Sequence, residues 1–155
     1  MFKTILIANR GEIAVRIAAT LKKMGIRSVA VYSAPDRTSL HVAAADEAIA
    51  LDGDSAADTY LRSDRIIAAA QQAGAEAIIP GYGFLAENAA FAEECAAAGI
   101  AFVGPTPEQI RSFGLKHTSR EIAAKAGVPL TPGTGLLGNL DEAKQAAKAL
   151  GYPLM

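Results

Sequence analysis

The sequence contains a single cysteine and almost no net charge, and each of these shortages removes a class of protein. Cys95 stands alone, so the chain cannot form an internal disulfide bond. Its position in an amphipathic stretch favours an inert, buried thiol over a nucleophile. The 15 Lys and Arg residues nearly balance the 16 Asp and Glu residues, which leaves a net charge of −1. This balance gives no reason to expect a nucleic-acid or charged membrane partner.

Long apolar runs are also missing. No segment reaches the about 20 apolar residues that a membrane-spanning helix needs. The apolar run near the N-terminus, residues 5–8, is too short for the core of a signal peptide and stops at Asn9 and Arg10. We therefore expect a cytoplasmic protein with no membrane partner.

The motifs of several common sites are absent. The first apolar run is followed by one glycine, Gly11, where a dinucleotide-binding fingerprint has three, and Glu12 takes the positive helix end that a pyrophosphate would occupy. The second run ends in Tyr32 and Ser33 rather than in a ribose-binding acid. We therefore expect no NAD site. P-loop, zinc-ligand and nucleophile-elbow patterns are missing too, so we expect none of these three kinds of site.

What the sequence does have is a regular alternation of short apolar runs and amphipathic stretches. This alternation predicts βαβ units, and right-handed crossovers make the fold a doubly wound, Rossmann-like α/β sheet. The isolated His41 and His117 are expected on a helix surface or at a helix cap. The predicted strands cover residues 4–8, 27–32, 47–51, 76–79 and 100–103, and the predicted helices cover 11–24, 62–73 and 88–98.

The pattern changes after Pro107. Helices are predicted over 108–113, 116–126 and 140–150, the last with Asn139 or Asp141 as its N-cap. We place a domain boundary between Phe113 and Lys116, which gives domains 1–113 and 114–155. Residues 151–155 begin another apolar run, which we expect to be the start of a strand, so the chain would be a truncated piece of a longer protein.

Two features could carry chemistry. Ligands in such sheets bind at the carboxyl ends of the strands, and there Gly81 and Gly83 flank Tyr82 and precede Phe84. This loop is either a ligand-contacting segment or a tight turn with Tyr82 packed on the core. Lys116 starts a predicted helix, where free backbone N–H groups favour phosphate. From the residues alone, an ordinary exposed lysine is the preferred interpretation.

The segments together resemble the biotin carboxylase family over the whole chain. Residues 7–17 and 80–92 are similar to its characteristic tracts, and so are 41–48, Tyr60-Leu61 and Gly104-Pro105. Residues 104–118 and 132–137 look like the urea carboxylase (urea amidolyase) branch.

The resemblance implies a pre-ATP-grasp domain followed by the partial helical start of an ATP-grasp module. In such ligases ATP with Mg²⁺ activates bicarbonate, biotin is carboxylated, and a carboxyltransferase domain in urea carboxylase passes the carboxyl group to urea, giving allophanate. The resemblance implies that Lys116 binds the ATP phosphates and that Gly81, Tyr82, Gly83 and Phe84 form an active-site loop near biotin.

The family's remaining ATP-binding, magnesium-binding and bicarbonate-binding residues would lie beyond Met155. The resemblance therefore implies no catalytic residue and no metal ligand among the 155 residues. We expect them to be inactive alone and to bind MgATP too weakly to detect. The implied partners are the rest of the ATP-grasp module, the biotin carrier and carboxyltransferase domains, and a second copy in a homodimer. The alternatives are part of an acyl-CoA or pyruvate carboxylase, or a non-catalytic Rossmann-like binding module.

Four positions depart from the family pattern. Ile79 stands where the family usually has histidine, and Ala86 stands where it has serine, which leaves the behaviour of the loop open. Ala19 and Lys23 replace charges of the bacterial dimer contact, which argues against that contact.

Overall fold

A computed structural model describes residues 1–154 of the chain. It divides into two compact units, Met1–Ile110 and a second that begins at Arg111, and each is described by itself.

The first unit is built on a sheet of five strands, all parallel, in the order β3-β2-β1-β4-β5. The strands are β1 (Thr4–Ile7), β2 (Arg27–Tyr32), β3 (Glu47–Ala50), β4 (Ala77–Ile79) and β5 (Ala101–Phe102). The helices of the first two thirds of the chain are α1 (Gly11–Lys23), α2 (Leu40–Ala44), α3 (Ser63–Gln72) and α4 (Ala89–Ala97), and a 3₁₀ turn covers Ala34–Asp36. The predicted α/β fold is confirmed.

Side chains alternate along each strand, and both faces of the sheet are buried because helices pack on each of them. Leu6 of β1 pairs in register with Val29 of β2 and Ile78 of β4, and these three belong to one core with α3 and α4. Ile5 and Ile7 point to the other face and pack with α1. Each fully buried aliphatic side chain stabilises the fold by about 1.5–3 kcal/mol.

Helix α1 has the apolar spacing from which the helix over 11–24 was predicted. Ile13, Ile17 and Leu21 recur at intervals of four residues and are all buried, which gives the helix its single apolar face. Gly25 follows the helix with φ +70°, the left-handed conformation that favours glycine at a helix end.

The surface position expected for His41 is wrong. The five-residue helix α2, which the pattern did not predict, places His41 against β2 with only 1% of its surface exposed. Its Nε2 lies 3.2 Å from the carbonyl oxygen of Val31, which satisfies one ring nitrogen in the core. The buried thiol predicted for Cys95 is confirmed, and burial raises the pKa of Cys95 to about 11.

The C-terminal part of the chain is helical, with α5 (Pro107–Gly114), α6 (Lys116–Lys125) and α7 (Leu140–Leu150). Asn139 caps α7, since its Oδ1 accepts a hydrogen bond of 2.9 Å from the backbone N–H of Glu142. His117 is half-buried in α6. The strand expected from residue 151 is not present over 151–154, and Met155 lies outside the described residues.

Candidate functional site

The candidate site lies at the carboxyl edge of the sheet, where β1 and β4 end side by side. The loop after β4 faces the segment that joins β1 to α1, and a cleft of about 390 Å³ lies between them. Ligands of doubly wound sheets bind at this edge. The residues that line the cleft are Asn9, Arg10, Gly11, Glu12, Ile13, Tyr82, Gly83 and Phe84.

Asn9 joins the two sides of the cleft. Its side-chain amide donates hydrogen bonds of 2.8 Å to the carbonyl oxygens of both Pro80 and Tyr82. Its Oδ1 accepts a hydrogen bond of 2.8 Å from the backbone N–H of Arg10. Asn9 is only 4% exposed, so these bonds form largely out of water, where a missing partner is costly. The side chain therefore fixes the backbone path of the loop.

The two loop glycines serve different needs. Gly81 and Gly83 have φ values of +68° and +71°, which L-residues rarely adopt. A Cβ on Gly81 would lie 3.1 Å from Cγ1 of Ile13 and 3.2 Å from Nδ2 of Asn9, whereas a Cβ on Gly83 would meet nothing within 4 Å. Gly81 is therefore required by both conformation and space, and Gly83 by conformation alone.

This difference predicts unequal effects of the same substitution. Gly83→Ala should destabilise the chain by about 1 kcal/mol through its positive φ. Gly81→Ala should cost about 1 kcal/mol more, because the hydrogen-bonded amide of Asn9 resists displacement. Urea denaturation followed by circular dichroism measures both free energies, and equal losses would mean that the loop shifts freely away from Ile13.

Tyr82 is exposed at the cleft. Its side chain is 61% exposed, so the alternative in which Tyr82 packs on the core is wrong. Its hydroxyl donates a hydrogen bond to Oε1 of Glu12, and this bond raises the pKa of Tyr82. The phenol ring therefore presents a flat face to solvent while one carboxylate holds its hydroxyl.

A second polar cluster lies beside the cleft and was not predicted from the sequence. Arg10 donates a hydrogen bond of 2.8 Å from Nη1 to Oδ2 of Asp36. The same oxygen accepts hydrogen bonds from the hydroxyl of Tyr60 at 2.7 Å and from the hydroxyl of Ser33 at 3.0 Å. The guanidinium of Arg10 lies 5.3 Å from the centre of the Tyr60 ring and 5.7 Å from that of Phe84.

The electrostatics of this cluster favour an ionised Asp36. Burial alone would raise the pKa of Asp36, but the hydrogen bonds from Arg10, Tyr60 and Ser33 outweigh it and lower that pKa to about 2. Burial raises the pKa of Tyr60 to about 12, so its hydroxyl stays a donor. The hydrogen bond to Asp36 raises the pKa of Arg10 as well. The cluster is therefore a charged pair with a neutral phenol beside it.

The profile of the family "Biotin carboxylase, N-terminal domain" matches residues 1–110. This chain belongs to the biotin carboxylase family. Urea amidolyase of Lachancea kluyveri is 63% identical to it over 99% of the chain and 8% of that protein. The crystal structure of Kluyveromyces lactis urea amidolyase superposes on 84% of the chain and 8% of its own length, with 62% identity and a TM-score of 0.81.

The biotin carboxylase from Campylobacter jejuni in complex with β,γ-ATP has a TM-score of 0.92 to this chain, with 44% identity over 99% of the chain and 34% of that protein. The chain thus spans less than a tenth of the urea amidolyases and about a third of a biotin carboxylase. The resemblance to the biotin carboxylase family, and to its urea carboxylase branch, is confirmed.

The structure also places Lys116 and the four positions that depart from the family pattern. Lys116 is the first residue of α6, with an exposed side chain. Ile79 packs partly buried against the α1 side of the core, and the N–H of Ala86 donates to the carbonyl oxygen of Gly83 at 2.9 Å, which closes the loop. Ala19 and Lys23 are exposed on α1.

Residues 1–154 contain no group of three His, Cys, Asp or Glu side chains arranged to hold a metal ion. Within the same residues, no helix has both the length and the apolar character that crossing a membrane would take.

Proposed function

We propose that this chain is the N-terminal part of a biotin-dependent carboxylase that uses ATP and bicarbonate to carboxylate biotin, with urea as the final acceptor and allophanate as the product. The observation that carries the proposal is the 63% identity to a urea amidolyase over 99% of the chain. We propose domains of 1–113 and 114–155, the second being the start of an ATP-grasp module.

Lys116 fits a role in binding the ATP phosphates. It begins the ten-residue helix α6, and its N-cap, Leu115, has no side chain that could bond the free N–H groups of the first turn. These N–H groups and an exposed ammonium both attract phosphate oxygens. ATP would supply the energy to activate bicarbonate, and the carboxylates that hold Mg²⁺ would come from outside these 155 residues.

The loop of Gly81, Tyr82, Gly83 and Phe84 fits a role in contacting biotin. The exposed ring of Tyr82 offers a flat surface for the fused rings of biotin, and its hydroxyl is already oriented by Glu12. The absence of a side chain on Gly83 leaves the backbone open to a ligand. The loop would thus position biotin, while the chemistry takes place on groups supplied by the rest of the enzyme.

The test is an ATP-cleavage assay of the full-length polypeptide. We expect bicarbonate-dependent ATP cleavage that biotin stimulates, and allophanate formation when urea is added. Acetyl-CoA and pyruvate serve as competing acceptors, because a pyruvate carboxylase subunit of Methanothermobacter thermautotrophicus is 48% identical to this chain. Carboxylation of either one in place of urea would contradict the proposed acceptor. The absence of any bicarbonate-dependent cleavage would support a non-catalytic module instead.

Replacing Lys116 by alanine tests the phosphate role. In the full-length enzyme, Lys116→Ala should lower kcat/KM for ATP by about tenfold or more, because a charge-assisted contact to phosphate is lost. The matched control is Lys125→Ala at the other end of α6, which removes the same charge far from the helix N-terminus. Unchanged melting temperatures would show that both variants fold, and equal kinetics in both would mean that Lys116 is an ordinary surface residue.

The proposal also covers the partners. The 155 residues alone would be inactive, since the lid and metal ligands would come from the rest of the ATP-grasp module, and the carrier and carboxyltransferase domains would complete the reaction. A biotin carboxylase domain of Hydrogenobacter thermophilus, 49% identical to this chain, is described as a dimer. Since Ala19 carries no charge, a homodimer of the present protein would need contacts other than the charges that the bacterial enzymes place at positions 19 and 23.

A further inference from the structure

Phe84 holds a backbone conformation that its own side chain does not favour. Among residues 1–154 it is the one non-glycine residue with a positive φ, at 41°. Such a conformation persists only where the surroundings hold it. Its ring stacks on Tyr60 with centroids 5.1 Å apart and planes 18° apart, and the guanidinium of Arg10 lies 5.7 Å from its centre.

One carboxylate holds both of the groups that contact Phe84. Oδ2 of Asp36 accepts hydrogen bonds from Arg10 at 2.8 Å and from Tyr60 at 2.7 Å. The backbone N–H of Ser33 also donates to the Tyr60 hydroxyl at 3.0 Å, which fixes the phenol from a second side. The guanidinium plane and the phenol ring are therefore both oriented from the 3₁₀ turn that contains Asp36.

We infer that Asp36 is a positioning residue for the loop of Gly81, Tyr82, Gly83 and Phe84. It acts through Arg10 and Tyr60 on the ring of Phe84, and Phe84 anchors the C-terminal end of the exposed segment that carries Tyr82. Asn9 anchors the other end through Pro80. The inference rests on the proposed function in one respect, namely that this loop contacts biotin.

This arrangement predicts a specific kinetic defect. In the full-length enzyme, Asp36→Asn should raise KM for free biotin by about tenfold, because a displaced loop no longer presents Tyr82 correctly. Bicarbonate-dependent ATP cleavage without biotin should stay within about twofold of the wild type, because it does not use the loop. Tyr60→Phe, which keeps the stack on Phe84 but loses the bond to Asp36, should raise KM for biotin by a smaller factor.

The control is Asp64→Asn. It removes the same charge from an exposed carboxylate that pairs with Arg62, with distances of 2.9 and 2.7 Å, and it should leave KM for biotin unchanged. A purely structural role of Asp36 would instead lower biotin-independent and biotin-dependent activity together. That result, or an unchanged KM for biotin, would overturn the inference.

A second measurement, hydrogen exchange, does not depend on the enzyme being catalytically active. Hydrogen exchange of the full-length protein should show faster exchange in a peptide covering residues 80–86 for Asp36→Asn than for Asp64→Asn. The increase over 80–86 should exceed that in peptides from β1 and β2, whose exchange follows the global stability. Equal exchange over 80–86 would overturn the inference even in an inactive preparation. If the wild type lacks bicarbonate-dependent ATP cleavage but the loop loosens as expected, the proposed function fails and the positioning role of Asp36 stands.

Discussion

Asn9→Ala is expected to destabilise the chain by about 2–4 kcal/mol, because one buried and one partly buried carbonyl group lose their donor at once. The carbonyl oxygens of Pro80 and Tyr82 each receive a hydrogen bond of 2.8 Å from the Asn9 amide. With Asn9 only 4% exposed, alanine cannot replace these bonds and water has little access to the space that remains. Urea denaturation followed by circular dichroism measures the change in the free energy of unfolding.

Two further variants test whether the loss of stability comes from the missing amide donor of Asn9. Asn9→Asp keeps an acceptor for the N–H of Arg10 but places a carboxylate oxygen against the two carbonyl oxygens, so it should be at least as destabilising as alanine. Asn88→Ala removes one hydrogen bond, that of 3.1 Å from the N–H of Phe91, at the N-cap of α4. It should cost about 1 kcal/mol. A loss at Asn9 no greater than that at Asn88 would mean that the loop is not held by the Asn9 amide.

The sheet could be predicted from the sequence because each strand is a short apolar run between helices with one apolar face. The strands lie within about two residues of their predicted bounds, which is the usual uncertainty at element ends. Helix α2 was missed since its five residues are too few to show a period. The burial of His41 follows from that helix, and a pattern that omits the helix cannot place the side chain.

The candidate site could be predicted only in part. The loop after β4 was found because parallel strands place their carboxyl ends at one edge, and paired glycines mark a sharp turn there. The cluster of Arg10, Asp36 and Tyr60 was not found. Arg10 and Asp36 are 26 positions apart, and Asp36 and Tyr60 are 24 apart. No periodic or motif signal joins residues at such distances, and only the folded sheet brings them together.

The charge on Asp36 should make the stability of the chain depend on pH in an acidic range. A carboxyl group whose pKa is lower in the folded state than in the unfolded state stabilises the fold above its unfolded pKa. For Asp36 the ordinary value is 3.8 and the folded value is about 2. The stabilisation should therefore be complete above pH 5 and disappear as the pH falls from about 4 to about 2.

Asp36→Asn isolates this contribution from those of other carboxylates. At pH 6 the variant should be less stable than the wild type by about 2–3 kcal/mol, since it loses the ion pair with Arg10 and weakens the bond from Tyr60. The difference should shrink as the pH approaches 2, where wild-type Asp36 becomes protonated. Asp46, whose pKa is lowered by hydrogen bonds from Ser28, titrates in both proteins and cancels in the comparison.

The measurement is a series of urea denaturation curves between pH 2 and pH 7 for the wild type, Asp36→Asn and the surface control Asp64→Asn. The control should follow the wild type closely, because exposed pairs contribute little. A difference between wild type and Asp36→Asn that stays constant down to pH 2 would show that the loss is one of packing and not of charge. Convergence at low pH would instead show that the ionised carboxylate holds Arg10 and Tyr60 in place beside the loop.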